Sequence, residues 1–403
     1  MPWPLRMLLI LWPLVILISF YGLRRVRYSL QIVLGNLSPR VGYLITIFWG
    51  WIMSYPLAMV LLYLSGQYAT AYLLEGAYRW IDILLTYPFF LSFIIFAIAL
   101  PYFLIFHAVT TWGKHRLSAT THRWLHGAQL GLLAFLVIWV PWKSYQDTAT
   151  IQLRTIPIHL NNKGAVFQNL SILLVADVQA DRFTRQERLK ALSTIADTTQ
   201  YALTLFAGDL ITYSVQHLPE TQKALCSFSR KAPAVACMGD HDYWFARQEV
   251  PQMLQTCGWK FLQNRHHLVR WKDKLILVSG ITNIYSQPMS REQLERFLDM
   301  APPAQLKILL VHQPSEWIAH IAEKSEYHLM VGGHTHGGQI AIPLLGWSFT
   351  PTMLENGFYS GKYRLGNLNI VVTNGIGLTF TPLRFGAPAE VTRIVINPVQ
   401  VSK

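Results

Sequence analysis

Four long apolar runs dominate the first third of the chain: Leu5–Tyr21, Tyr43–Leu64, Ile83–Phe106 and Leu125–Trp142. A helix needs about 20 apolar residues to cross a hydrocarbon core, and each run approaches or exceeds that length. Four such runs in succession predict membrane spans rather than buried helices of a soluble domain. Trp12, Trp49, Trp51, Tyr102, Trp139 and Trp142 on these runs are expected to suit the interfacial belts where aromatic rings settle. The first run has the basic flank and apolar core of a signal peptide. It is followed by Arg24, Arg25 and Arg27 instead of a small-residue cleavage site, so it reads as an uncleaved span.

Beyond Trp142 the pattern changes. Lys143–Thr155 is polar and reads as a connector. Short runs with the character of buried strands then alternate with segments of helical periodicity. Ile172–Ala176, Ala202–Phe206, Ala234–Met238, Leu275–Ser279 and Lys307–Val311 are the predicted strands. Thr184–Thr199, Pro219–Ser229 and Ser290–Asp299 are the predicted helices. Thr184 with Glu187 reads as a capping box and Ser290 as a helix cap. The last part is all-β, with Leu368–Val372 and Val391–Ile396. The chain therefore divides into a helical transmembrane region over 1–145, a connector and first strand over 146–169, and one α/β domain over 170–398.

Charge sharpens this division. The net charge is +13 over 403 residues, and +8 of it lies in residues 1–145, where ten Lys/Arg face only Glu75 and Asp82. Basic residues between apolar runs mark membrane loops, whereas those of the C-terminal part are scattered among acids. No nucleic-acid partner is expected from that distribution. Arg24, Arg25, Arg27 and Arg40 lie in the first loop, Lys114, Arg116 and Arg123 in the third, and the second, around 67–79, is nearly neutral. Loops one and three are therefore expected in the cytoplasm, which places the C-terminal domain outside the cytoplasmic membrane. His107 and Asp82 read as interface residues, and the spans lack the buried charges of a transporter. Cys226, Cys237 and Cys257 are expected as core thiols or one optional disulfide.

The candidate chemistry sits where strands end. Ile172–Ala176 leads into Asp177-Val178-Gln179, Ala202–Phe206 into Gly208-Asp209, and Ala234–Met238 into Gly239-Asp240-His241-Asp242. Lys307–Val311 leads into His312, and Leu329-Met330-Val331 into a glycine-flanked turn carrying His334 and His336. Residues i and i+2 of extended chain point the same way, so both imidazoles can face one point. Ligands of open α/β sheets collect at the carboxyl ends of strands. One such Asp is usually a helix cap; five strand ends bearing Asp or His are not.

The order of these motifs resembles the calcineurin-like metallophosphoesterases over about residues 170–397. Pro343-Leu344-Leu345-Gly346, Gly361-Lys362-Tyr363 and Pro382-Leu383-Arg384-Phe385-Gly386 are similar to the membrane-anchored branch of that family. The resemblance implies an αββα sandwich, two mixed sheets flanked by helices, behind the helical transmembrane bundle. It further implies two metal ions. Asp177, Gln179, Asp209 and His336 would hold the first, and Asp209, Asp240, His312 and His334 the second, with Asp209 bridging. His241 would face the substrate phosphate and leaving oxygen, with Asp242 orienting it. Gln179 stands where many members have His, and Asp240 where most have Asn. Both changes move the donor set toward oxygen, which suits Mn²⁺, Mg²⁺ or ferric iron better than Zn²⁺; Mn²⁺ or an iron-containing pair is expected, with Zn²⁺ or Mg²⁺ as the alternatives. The expected activity is hydrolysis of a phosphodiester or pyrophosphate of a lipid or envelope component by metal-activated hydroxide, with membrane lipids as partners. The alternative is a metal-containing membrane sensor or scaffold. Asp181 and Arg182 read as a solvated loop or as the lining of the pocket mouth. Tyr243-Trp244-Phe245 reads equally as helix core or as an apolar lip. Arg384 reads as a structural salt bridge or a phosphate contact, and Asn283 as a neighbour of the site.

Overall fold

The computed structural model describes residues 1–35, 38–68, 79–113, 117–160, 166–184, 186–344, 347–354 and 357–398. The chain divides into two compact units. The first comprises Met1–Tyr145 together with two later segments, Ile342–Ser348 and Phe380–Phe385.

In this helical unit α1 spans Trp3–Leu34, α2 Pro39–Met53, α3 Tyr55–Leu64, α4 Tyr87–Trp112 and α5 Ala119–Ala149. A π-turn over Asp82–Thr86 leads into α4. Three helical stretches, Pro4–Leu34, Asp82–Trp112 and Ala119–Ala149, are long and apolar enough to cross a membrane. The second expected span is instead the pair α2–α3, bent by 42°. Pro56 in the first turn of α3 lacks an N–H and crowds the preceding turn, a usual cause of such a break. Trp49 donates from Nε1 to Ser19 Oγ at 2.9 Å, and Trp12 donates to the Met53 carbonyl at 3.1 Å, tying α1 to α2. The later segments pack on the same helices: Phe380 meets Phe90 at 5.8 Å and Phe385 meets Trp139 at 5.6 Å between ring centroids. His107 pairs with the Tyr21 hydroxyl at 3.1 Å, and Asp82 accepts from Thr86 at 3.3 Å. Lys114 and Arg116 of the third loop and residues 69–78 of the second lie outside the described residues.

Residues 143–155 are not a loose connector. α5 continues to Ala149, and β1 begins at Gln152. The second unit contains two six-stranded mixed sheets. β1 (Gln152–Leu160), β2 (Ser171–Val175), β3 (Leu203–Phe206), β4 (Ala234–Cys237) and β5 (Lys260–Leu262) share the first with the last strand, in the order 1-14-2-3-4-5. β6 (Arg265–Trp271), β7 (Lys274–Ile281), β8 (Leu306–Val311) and β9 (Leu329–Gly332) form most of the second. The short pair β10 (Ile342–Leu344) and β11 (Trp347–Phe349) stands apart; β12 (Gly361–Leu365) and β13 (Leu368–Val372) complete the second sheet, and β14 (Glu390–Pro398) returns to the first.

The central strands β2, β3, β4, β8, β9 and β13 are buried on both faces, and their alternation assigns each face. Ile172 and Leu174 of β2 pack with Ile308 and Leu310 of β8 in the layer between the sheets. Leu173 and Val175 turn outward onto Leu189 and Leu225, which belong to the helices Gln186–Thr198 and Leu218–Ser229. Leu309 and Met330 of the second sheet turn onto Leu298 and Ile318 of the helices Arg291–Asp299 and Glu316–Lys324. The result is the expected αββα sandwich. The Ser290 cap forms: its Oγ accepts from Gln293 N at 3.2 Å, and Gln293 Oε1 accepts from Ser290 N at 2.8 Å. The Thr184 capping box does not. Thr184 Oγ1 is buried with no hydrogen-bond partner among the described residues, and Asp181 Oδ1 accepts its N–H at 3.0 Å instead. Cys226 and Cys257 form a disulfide, and Cys237 is a buried thiol on β4.

Candidate metal centre

β2, β3 and β4 run parallel as neighbours in one sheet, and β8 and β9 do so in the other. Their carboxyl ends therefore deliver the polar residues that follow them to one place. Asp177 and Gln179 come from the end of β2, Asp209 from β3, and Asp240 from the turn after β4, where the short helix Asp240–Phe245 starts. His312 follows β8 directly, and His334 and His336 follow β9.

These loops are tightly wound. Asp177, Gln179, Asp209, His334 and His336 all have positive φ, between 48° and 73°. Side chains other than glycine rarely adopt that region, and each instance costs about 1–3 kcal/mol. Backbone bonds hold it in place: Asp177 N donates to Gly208 O at 2.9 Å, Gln179 N to Asp209 O at 3.1 Å, and Gly333 N to His312 O at 3.1 Å. Two glycines make room. A Cβ at Gly239 would meet the backbone nitrogen and Oδ1 of Asp209, and one at Gly333 would meet the Asp177 carboxylate.

The donor atoms converge. Asp177, Asp209 and His312 offer ligand atoms within 4.8 Å of one another, and so do Asp240, His312 and His334. His312 Nε2 lies 3.4 Å from Asp209 Oδ2 and 3.5 Å from Asp240 Oδ2. His334 Nδ1 lies 3.3 Å from both Asp240 Oδ2 and His312 Nε2. His336 Nε2 stands 3.9 Å from Asp177 Oδ1. All seven predicted ligand residues thus reach one cluster, most of it buried. The His312 Nδ1–H donates to the Ala207 carbonyl at 2.7 Å, which leaves Nε2 as the electron-pair donor facing the carboxylates.

Electrostatics follow from packing four buried carboxylates together. Burial pushes the Asp177 carboxyl up to about 7. Burial also pushes Asp242 up, with the Asp209 charge adding to it, to about 7. Burial would raise Asp209 as well, but His312, His241 and His334 outweigh it and hold Asp209 well below the usual carboxylate range. For His312 burial lowers the pKa, and the surrounding Asp209, Asp177 and Asp240 override it and raise it strongly.

Gln179 makes this donor set fit a metal. Its Nε2 donates to Asp209 Oδ2 at 2.9 Å, and its Oε1 is buried without a hydrogen-bond partner among the described residues. An orphaned buried carbonyl normally costs 1–3 kcal/mol, and a cation is the partner the neighbouring carboxylates suit.

Asp242 and His241 act separately in this structure. The Asp242 carboxylate accepts from the backbone of Asp209, Leu210 and Gly239, at 2.8, 2.8 and 3.3 Å, so it holds the ligand loops. The His241 ring is oriented by the Thr212 carbonyl, which accepts from Nδ1, while its backbone N–H donates to Asp209 Oδ1 at 2.9 Å. The ring packs against Tyr213, Trp244 and Phe245. Trp244 and Phe245 are 46% and 44% exposed, so they form a lip and not the core of a helix. Asp181 closes its own loop, accepting from Phe183 N at 2.7 Å and Thr212 Oγ1 at 3.1 Å. Asn283 Oδ1 accepts from Met289 N at 3.0 Å, and Arg384 is fully buried in the helical unit's second segment.

Sequence reasoning missed the residues that surround Asp240. Gln313 Nε2 donates to Asp240 Oδ2 at 2.6 Å, and Tyr285 N donates to Oδ1 at 2.9 Å. Tyr285 also brings its hydroxyl to 3.4 Å from His334 Nε2. Gln313 had one signal, its place next to His312; Tyr285 had none.

Residues 170–338 match the family described as calcineurin-like phosphoesterase. A "transmembrane protein with metallophosphoesterase domain" of Danio rerio is 26% identical over 57% of this chain and 53% of its own length. The "uncharacterized metallophosphoesterase YkuE" of Bacillus subtilis is 28% identical over 56% of this chain and 78% of its own. "Phosphodiesterase YaeI" of Escherichia coli is 24% identical over 55% of this chain and 80% of its own. The match thus spans about half of the Danio rerio relative.

Proposed function

Residues 170–338 form a calcineurin-like phosphoesterase domain, and from that premise we propose that the chain is a membrane-bound enzyme hydrolysing a phosphodiester or pyrophosphate bond of a lipid or envelope component. The observation that carries this is the pair of overlapping donor sets, Asp177–Asp209–His312 and Asp240–His312–His334. Asp177, Gln179, Asp209 and His336 would hold one ion, and Asp209, Asp240, His312 and His334 the other, with Asp209 common to both sets. A pair of cations at such a site offsets the charge of a phosphate ester, activates water and holds an in-line geometry. The oxygen-rich donors, Gln179 and Asp240 included, suit manganese or iron.

The protein's own groups divide the remaining work. His241, with Nδ1–H committed to Thr212, presents Nε2 toward the reacting phosphate, where it moves a proton to the leaving oxygen. Asp242 keeps Asp209 in position by accepting its backbone N–H. Gln313 and Tyr285 anchor Asp240, whose extra negative charge they offset with donated hydrogen bonds. The exposed lip of Trp244, Phe245 and Tyr285 supports a substrate with an apolar part beside its phosphate.

We infer further that the domain faces the extracytoplasmic side. The arginines of the first loop support it by the positive-inside rule, and so does the Cys226–Cys257 disulfide, since disulfides persist in oxidising compartments. The test is hydrolysis of bis(p-nitrophenyl) phosphate by the purified full chain loaded with Mn²⁺. Turnover abolished by chelation supports a hydrolase. Stoichiometric metal without turnover of this diester or of phospholipid would replace it with a sensor.

A further inference from the structure

The helical unit contains a second polar cluster, formed by α1 and α5. His126 is fully buried, Gln129 nearly so, and Arg25 only 8% exposed. Ser29 joins the two helices: its Oγ lies 2.8 Å from His126 Nδ1 and donates to Gln129 Oε1 at 3.1 Å. The Arg25 guanidinium lies 5.5 Å from the Tyr28 ring, and that ring meets His126 at 5.2 Å. His122 stacks edge-on to His126 at 4.7 Å.

Four buried nitrogens of this cluster have no hydrogen-bond partner among the described residues: Arg25 Nε and Nη2, His126 Nε2 and Gln129 Nε2. Nε and Nη2 form one edge of the guanidinium, the edge that grips two oxygens of one anion at once. Gln129 Nε2 adds a neutral donor. Ser29 spends its single proton on Gln129, so His126 Nδ1 carries a proton and Nε2 is free to exchange a second one with an anion beside it. A buried guanidinium without a counter-charge is unfavourable, and no acidic side chain pairs with Arg25 among the described residues. The missing component is therefore an anion with several acceptor oxygens.

Depth selects which anion. Arg25 lies four residues beyond Tyr21, where the first apolar run stops, which is about 6 Å along a helix. His126 lies at the start of the last run. Both belong at headgroup level, among Arg24, Arg27 and Arg123. We propose that Arg25, His126 and Gln129 hold the phosphate of a membrane lipid headgroup at this end of the helical unit.

The full chain in neutral detergent is examined by native mass spectrometry while dioleoylphosphatidylglycerol, dioleoylglycerol or inorganic phosphate is added. One phosphatidylglycerol is expected to bind, with dioleoylglycerol at least about tenfold weaker, the worth of one charge-assisted contact. Arg25→Met weakens phosphatidylglycerol by about tenfold or more. Gln129→Glu keeps the shape and replaces a neutral donor with a carboxylate that repels phosphate, so it folds while losing the lipid. Dioleoylglycerol binding as tightly as phosphatidylglycerol, or folded Arg25→Met and Gln129→Glu variants keeping wild-type affinity, overturns the proposal. Inorganic phosphate binding more tightly than the lipid overturns the lipid as its source.

Discussion

The side-chain nitrogen of Gln179 donates to Asp209 Oδ2 across 2.9 Å, while its carbonyl oxygen stays buried without a hydrogen-bond partner among the described residues. One atom of the amide steadies the Asp209 carboxylate, and the other is the acceptor that the proposed metal site would use. Gln179→Ala is expected to lower metal affinity at one of the two positions by about 10–100-fold, as losses in a coordination environment do. Gln179→His replaces oxygen with nitrogen and is expected to shift preference toward zinc. Metal content by elemental analysis, after loading with Mn²⁺ and Zn²⁺ in competition, reads both. Unchanged preference in Gln179→His would exclude Gln179 from the coordination sphere.

His241 and Asp242 are adjacent in sequence and separate in role. His241→Ala removes a ring held by Thr212 and is expected to cut kcat by about 10²–10⁴-fold with metal content and melting temperature unchanged. Asp242→Ala strands the buried N–H groups of Asp209, Leu210 and Gly239, and is expected to destabilise the domain by about 3 kcal/mol or more. Thermal unfolding alongside steady-state kinetics separates the two. An Asp242→Ala protein that melts like wild type would contradict the holding role.

Stripping the metal leaves carboxylates packed against one another, with a sign that can be worked out. Burial raises folded Asp177 to about 7 from an ordinary value of 3.8. A group raised in this way contributes stability that is fully present below its unfolded pKa and lost as pH rises through the folded one. The chelated protein is therefore expected to melt at a higher temperature near pH 5 than near pH 8. The gap between chelated and Mn²⁺-loaded protein should widen over the same window, because metal replaces the proton. Scanning calorimetry at both pH values measures it, and a chelated protein more stable at pH 8 would contradict the packing described.

Gly239→Ala offers a purely steric probe. Its Cβ would meet Asp209 N and Oδ1 and displace the shared carboxylate. Loss of metal and activity with the fold retained, read by circular dichroism and elemental analysis, is expected. Full metal occupancy in that variant would show that Asp209 is not the shared ligand.

Much of this site was legible because buried strands stop abruptly. Apolar runs such as Leu203–Phe206 end within three residues of an acid, Asp209; β2 and β4 likewise lead to Asp177 and Asp240, and β8 and β9 to His312 and His334. What was not legible depended on contacts across the fold. Thr212 reaches His241 from 29 residues away, and Tyr285 reaches Asp240 from 45, with no local pattern to announce either. Thr184 and Glu187 had the letters of a capping box, but the Asp181 side chain took the Thr184 N–H first. Arg25 looked like loop charge because the apolar run ends at Tyr21, yet α1 continues to Leu34 and buries it. Helices tolerate polar residues well, so the polar composition of 143–155 hid the continuation of α5 to Ala149.

In the proposed reading, Asp209 joins two ions in a hydrolytic site. Metal content and diesterase activity measured together on wild type and Asp209→Asn test it most directly. Wild type holding about two transition ions per chain and turning over the diester, with the variant losing both, is the predicted result. An Asp209→Asn protein that keeps both ions and full activity would contradict it.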